Sequence, residues 1–223
     1  MEYKNLLELL KKRRSIRSFK TDPVPDEYIQ NIVGTVHWAP SGMNRQPWEV
    51  VVVRKQELKD NIVELIAEEM KGITKKMPPN PVPDKPGKAP PSVPGFANAP
   101  VFILLFGDNR TRNTMPSMDD DRWNNMLNSN LALGFHNMLL AAATLEIGAQ
   151  WVSAVSRPVL EKQIKELLRI PDVMRLYAMM AVGYPDMEPI PKEMRELDGM
   201  IHYDICSQND FRRDDEVKDF SNY

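Results

Sequence analysis

From Arg122 to Ile147 the chain keeps a helical pattern, and from Leu131 onward that pattern is apolar on nearly every face. A helix with one apolar stripe can lie on a surface, whereas one that is apolar all round has to be covered on all sides. The run cannot span a membrane, because Gly134, His136, Asn137, Thr144 and Glu146 interrupt it and a span needs about 20 consecutive apolar residues. It must therefore be the centre of a layered fold. A chain of 223 residues is long enough to build one, as one large domain or two small ones. Gly148 is expected to end the helix.

The remaining elements follow from periodicity and punctuation. Leu6, Leu7, Leu9 and Leu10 predict a short helix over residues 2–13. After the break at Asp22-Pro23-Val24-Pro25, a second helix is expected from Pro25 or Asp26 to about Ala39. Pro40, Gly42 and Pro47 make 39–48 a loop, and Glu49–Val53 reads as a short strand. Leu58, Ile62, Leu65, Ile66 and Met70 share one face of a helix over Gln56–Lys71. Val101–Phe106 is continuously apolar, as for a strand buried on both faces. A strand over Gln150–Val155 precedes a helix capped by Ser156, with Pro158 in its first turn and its end before Pro171. Tyr177–Gly183 is another strand, and Ile201–Ile205 a candidate fifth. Four or five strands among five or six helices give an α+β or α/β pattern. All of it fits one domain over 1–223, with no internal repeat.

Nine of the 19 prolines fall between Pro78 and Pro100. Proline removes backbone donors, so residues 77–100 cannot form a helix or a central strand. They read as an insert between the Gln56–Lys71 helix and the Val101–Phe106 strand. A mostly charged extension occupies about 206–223.

Composition excludes several function classes. Twenty-nine Lys and Arg against 31 Asp and Glu give a net charge of -2, without the basic excess of a nucleic-acid binder. A single cysteine, Cys206, excludes an internal disulfide and any multi-cysteine metal centre, and it suits a reducing compartment. The start, MEYKNLLELLKKRR, is amphipathic and unlike a secretory signal, so a cytoplasmic location is expected. No Gly-x-Gly, Walker A, His-Glu-x-x-His or Gly-x-Ser-x-Gly motif occurs. His37, His136 and His202 are scattered, and no metal site is expected.

Two segments carry chemical information. In Arg13-Arg14-Ser15-Ile16-Arg17-Ser18-Phe19, an extended backbone would turn Arg13, Ser15 and Arg17 to one side. Guanidinium groups beside a hydroxyl make a phosphate grip through bidentate, charge-assisted hydrogen bonds. Taken alone, the segment is equally a solvated basic helix end. The second is Ala39-Pro40-Ser41-Gly42-Met43-Asn44-Arg45-Gln46-Pro47-Trp48. Its small and amide residues can offer hydrogen bonds to a planar heterocycle, or simply make a turn before a strand.

Together and in this order, the two segments resemble the nitroreductase family of flavoproteins. The resemblance extends to Asn137–Ala143 leading to Gly148, and to Gly183-Tyr184-Pro185 followed by Pro191-Lys192-x-x-Arg195. It covers roughly residues 5–75 and 100–205. It implies an α+β fold with a central, mainly antiparallel mixed sheet flanked by helices, and an intertwined homodimer that would cover the apolar helix. It also implies FMN as cofactor, NADH or NADPH as electron donor, and ping-pong transfer to a small organic acceptor of the nitroaromatic, quinone or activated-alkene class.

By the same resemblance, Arg13 and Ser15 grip the FMN phosphate and ribityl chain, with Arg14 beside them. Arg17 approaches the pyrimidine edge, where a cation stabilises the negative charge that reduction brings. Pro40, Ser41, Gly42 and Asn44 contact the flavin from the other subunit. Ser153, Ala154, Val155 and Ser156 run past the ring, with a backbone N–H of Val155 or Ser156 facing N5. Lys192 and Arg195 complete the phosphate site. No side chain is assigned as catalytic acid or base, since the flavin carries the chemistry. The insert is a candidate lid or pocket wall, with Val93, Phe96 and Ala97 as a hydrophobic wall. The deiodinase branch of the superfamily uses Glu, Tyr and Lys in such a lid. Here Glu68, Glu69, Lys71 and Lys75 are at hand, but no tyrosine occurs between Tyr28 and Tyr177. The alternatives are therefore a deiodinase-like reductive dehalogenase, a flavin-binding protein without turnover, and a basic-patch interaction protein built on Lys11–Arg17.

Overall fold

A computed structural model of the chain describes residues 2–74, 94–114, 118–189, 192, 194–207 and 210–213. The insert's prolines from 78 to 91, Lys75, Val93, Pro191 and the extension from 214 onward lie outside the described residues. The contacts divide the chain into two compact units, Met1–Met187 and Glu188–Tyr223.

In the first unit the elements run α1 (Tyr3–Lys12), α2 (Asp26–Gly34), β1 (Trp48–Val53), α3 (Gln56–Thr74), β2 (Val101–Asp108), α4 (Asp120–Thr144), β3 (Gly148–Val152), α5 (Pro158–Leu168) and β4 (Met174–Gly183). The four strands form one sheet in the order β1-β2-β4-β3, and every neighbouring pair is antiparallel. The parallel component expected of a mixed sheet is confined to a single bridge between Ser15 and Ala149.

The sheet separates two cores, and strand alternation divides the side chains between them. Val101, Ile103 and Leu105 of β2 face a core shared with α2 and α4, while Phe102, Leu104 and Phe106 face one shared with α3 and α5. All six are essentially inaccessible, as the continuous apolar run predicts. The β2–β4 register slips between Leu105 and Phe106, which pair with Ala178 and Leu176. Tyr177 is the extra residue of this bulge. It turns to the α4 side and meets Phe135 and Trp151, with ring centroids 6.3 and 5.7 Å away.

Several local expectations need correction. The second helix stops at Gly34, and Thr35–Trp38 continues it only as a tighter 3-10 turn. The strand expected to reach Val155 ends at Val152, followed by a 3-10 turn over Ala154–Ser156. Ser156 does not cap α5: Arg157 takes the N-cap position without a side-chain bond, and Ser156 Oγ donates to the Ser153 carbonyl instead. Gly148 does not end α4. Glu146 adopts the left-handed conformation (φ 58°), and the Ile147 N–H returns to the Ala142 carbonyl at 2.9 Å, closing a Schellman-type cap. Gly148 serves a different purpose, since a Cβ there would lie 2.9 Å from Ile16 Cγ2. Among the described residues of the second unit, Ile201–Ile205 forms no strand, and a 3-10 turn spans Asp198–Met200.

Among the described residues no helix is long and apolar enough to cross a membrane, and no group of three or more His, Cys, Asp or Glu is placed to hold a metal.

Lys59 is a buried cation on α3. Its Nζ donates to the Ala99 carbonyl at 3.0 Å, and burial lowers its pKa from the usual 10.5 against a smaller upward pull from Asp60. The unfolded chain keeps this proton at pH values where the folded one has begun to release it. Stability from this site therefore rises with pH below 10.5. The melting-temperature difference between wild type and Lys59→Met should shift in favour of wild type as pH rises toward 10.5. Phe135 is wholly buried and lies 4.4 Å from the Trp151 ring. Phe135→Ala should cost about 3–5 kcal/mol in denaturant unfolding.

Candidate functional site

The basic segment leaves α1 at Arg13 and runs along the outer edge of β3. Ser15 bridges Ala149, and the Ile16 N–H donates to the Ala149 carbonyl at 3.0 Å. Further on, Phe19 bridges Pro185, the Lys20 N–H donates to the Tyr184 carbonyl at 2.9 Å, and the Asp186 N–H to the Ser18 carbonyl at 2.9 Å. Ile16 and Phe19 are buried, Arg13, Arg14 and Ser15 half-buried, and Arg17 exposed. With Ile16 directed inward, Arg13, Ser15 and Arg17 share the other side, as extended backbone requires. The Arg17 N–H donates to Met187 Sδ at 3.2 Å.

The segment meets β3 near its start, at Ala149, and the 153–156 turn follows the other end of that strand. Beyond Val152, Ser153 and Ser156 are exposed, Ala154 is half-buried and Val155 fully buried. The Ser156 N–H donates to the Ser153 carbonyl at 3.1 Å, so of the two expected N5-facing donors it is already committed within the turn. Arg157 follows, 3.8 Å from Glu69 on α3.

The loop over 39–48 stands on different supports. The Gly42 N–H donates to Asn130 Oδ1 on α4 at 3.1 Å, and the Pro47 carbonyl accepts from Asp108 of β2 at 2.7 Å. Ser41 organises the interior: its carbonyl accepts from the Asn44 N–H at 2.9 Å and its Oγ from the Gln46 N–H at 3.0 Å. Met43, Asn44 and Gln46 all have positive φ, at 55°, 53° and 49°. Left-handed backbone costs a non-glycine residue about 1–2 kcal/mol, so these bonds hold the loop against its own preference. Pro40, Met43 and Asn44 are exposed at its surface.

Asn130 was not among the expected site residues. It is buried, and its Nδ2 has no hydrogen-bond partner among the described residues; Gln150 Oε1, on the strand beside the basic segment, shares that condition. A buried amide left half-paired costs about 1–3 kcal/mol, which makes both atoms candidates to meet a ligand. The available signal was the polar run Asn128-Ser129-Asn130 just before the apolar half of the helix. Lys192 and Arg195 belong to the second unit, where Lys192 is exposed and Arg195 donates to the Gly199 carbonyl.

Comparison with known proteins identifies the family. The nitroreductase family profile matches residues 10–184. An iodotyrosine deiodinase of Drosophila melanogaster is 31% identical over 186 residues, 82% of this chain and 63% of its own length. A protein of Archaeoglobus fulgidus provisionally named NADH dehydrogenase/NAD(P)H nitroreductase is 27% identical over 198 residues, 89% of this chain and 94% of its own. The chain thus spans less than two thirds of the fly protein and nearly all of the archaeal one. An oxidised iodotyrosine deiodinase solved with FMN and 3-iodo-L-tyrosine superposes with a TM-score of 0.72 at 25% identity, covering 90% of this chain and all of that one. The basic segment, the strained loop, the central helix and the edge strand all fall within the matched residues, and the chain belongs to the nitroreductase family.

Proposed function

We propose that the chain is an FMN-dependent oxidoreductase working as a homodimer, in which NADH or NADPH supplies a hydride and a small nitroaromatic, quinone or activated-alkene acceptor receives the electrons in a second half-reaction. The observation that carries this reading is the attachment of the Arg13–Arg17 segment to the outer edge of β3 through Ser15, Ile16 and Ala149, within a chain of this family. The donor chemistry fits the cofactor. Arg13, Arg14 and Ser15 suit a dianionic phosphate and a polyol, and the unpaired amide groups of Asn130 and Gln150 suit the carbonyl and N–H groups of a planar heterocycle.

Bound FMN would supply reversible two-electron chemistry that no side chain here can supply. The protein's part is to hold and orient. Arg13 and Ser15 would grip the phosphate and ribityl chain, with Arg14 beside them. Arg17 stands at the pyrimidine edge. Ser153 and Ala154 would line the ring, and the Val155 N–H would serve N5, because the Ser156 N–H is already bonded to the Ser153 carbonyl. Pro40, Ser41, Gly42 and Asn44 serve the flavin of the partner.

Exposed apolar side chains support the homodimer. Leu133 of α4 is 43% exposed, Leu6 and Leu10 of α1 are 40% and 41% exposed, and Trp38 is 82% exposed. Both α1 and the Thr35–Trp38 turn pack on α4, so this apolar surface gathers around one helix. Light scattering should give about twice the 25.6 kDa chain mass.

A second reading, reductive deiodination of an iodinated aromatic amino acid, is favoured by the identity to the deiodinases. Two assays on the FMN-loaded protein separate the readings: NADH or NADPH oxidation with a quinone or nitroaromatic, and iodide release from 3-iodo-L-tyrosine under dithionite. Activity in the first alone supports the oxidoreductase, and activity in the second alone the deiodinase. Purified protein should take on the visible absorption of FMN. Arg17→Ala should weaken FMN binding about ten- to a hundredfold, the loss expected for one charge-assisted hydrogen bond. Wild-type protein that stays colourless after incubation with FMN would sink the proposal.

A further inference from the structure

We propose that Gly95 is a positioning residue for Arg17, fixing where its guanidinium meets the flavin; this rests on the reading of Arg17 given above. A Cβ built on Gly95 would lie 2.5 Å from the Arg17 carbonyl oxygen, 3.6 Å from its carbonyl carbon and 4.0 Å from its Cβ. The nearest atom is a backbone oxygen, so no rotamer change relieves the clash. Both ends of the Arg17 backbone are thus engaged: the N–H by Met187 Sδ at 3.2 Å, and the carbonyl by the bare Cα of Gly95.

The turn that carries Gly95 is itself immobilised. Gly95–Asn98 forms a 3-10 turn closed by Ala97 N–H to the Pro94 carbonyl (3.0 Å) and Ala99 N–H to the Phe96 carbonyl (2.9 Å). Phe96 is buried, edge-on to Phe102 at 6.0 Å. Lys59 Nζ holds the Ala99 carbonyl at 3.0 Å. A side chain at position 95 therefore forces two anchored pieces of backbone apart at their point of contact, which is Arg17. The Arg17 segment is otherwise tied to β3 and to Tyr184–Asp186, so the shift concentrates at Arg17. Gly95 touches neither substrate nor ring and acts only through Arg17. Displacements of this kind are costly because charge stabilisation depends on geometry fixed in advance.

The test uses the full-length protein as Gly95→Ala, Met187→Leu and Arg17→Ala. FMN affinity is read by fluorescence quenching, the midpoint potential of bound FMN by dye equilibration, and folding by the melting temperature of the FMN-free protein. Gly95→Ala should weaken FMN binding by about tenfold and move the potential to more negative values, in the direction of Arg17→Ala. Its FMN-free melting temperature should fall, because the clash is with backbone, so affinity and potential are read well below that temperature. Met187→Leu, which removes the sulfur acceptor but keeps the apolar bulk, should move the potential the same way by less. It decides the matter if Gly95→Ala fails to fold. If Arg17→Ala shifts the potential and Gly95→Ala does not, the positioning role is overturned while the flavin reading stands. If Arg17→Ala leaves FMN affinity and potential unchanged, the reading beneath it fails and takes this inference with it.

Discussion

The outer edge of β3 is the constraint on which the candidate site depends. An edge strand presents unpaired N–H and C=O groups, and a fold has to cover or disguise them. Here the residues just after α1 do the covering, through the Ser15–Ala149 bridge and the Ile16–Ala149 hydrogen bond. The approach is close enough to require Gly148, since any side chain there would collide with Ile16. Two apolar residues, Ile16 and Phe19, anchor the segment in the α3–α5 core. Anchoring is thus accomplished by backbone bonds and hydrophobic burial, and the arginines are carried on a fixed rail.

α4 has a comparable double role. Its apolar side chains fill one core, and Asn130, just ahead of its apolar half, holds the Gly42 amide. Burying an asparagine is unfavourable unless its polar atoms are paired. The Oδ1 is paired with a loop whose next residues sit in left-handed conformations. Strain in the loop and a half-satisfied amide in the helix occupy the same place. Both are costs of stability that a bound planar ligand would offset.

Much of this was legible in the sequence, and the failures have specific causes. The strands with strong patterns, Val101–Phe106 above all, were readable because burial on both faces leaves nothing but apolar residues. The resemblance rested on short ordered motifs, which survive because backbone geometry and charge fix them. The end of β3 was misjudged because Ser153–Ser156 carries no breaker, and the turn is made by Ser156 bonding back to Ser153. Glu146 at the end of α4 could not be foreseen, because a left-handed glutamate looks like any helical glutamate in sequence. Gly148 invited the cap assignment, but its real cause is Ile16, more than a hundred residues away. Gly95 was invisible for the same reason, and Asn130 was marked only by the polar run ahead of the apolar half of α4; each matters through a partner brought near by the fold.

The two donor groups of the proposed site rest on separate supports. The basic segment is tied to β3, and the strained loop to α4 and β2. A single chain gains nothing from holding the Ser41–Asn44 loop under strain, with Met43 and Asn44 turned to solvent. The arrangement makes sense if that loop completes a site on a second copy. In a homodimer built around α4, the exposed Leu133, Leu6, Leu10 and Trp38 are the surface that association would cover. The loop, fixed to the same helix through Asn130, would then be delivered across the interface by the burial that forms the dimer. Flavin affinity and dimerisation would be coupled through one amide side chain, because the helix that must be covered is also the one that carries the loop.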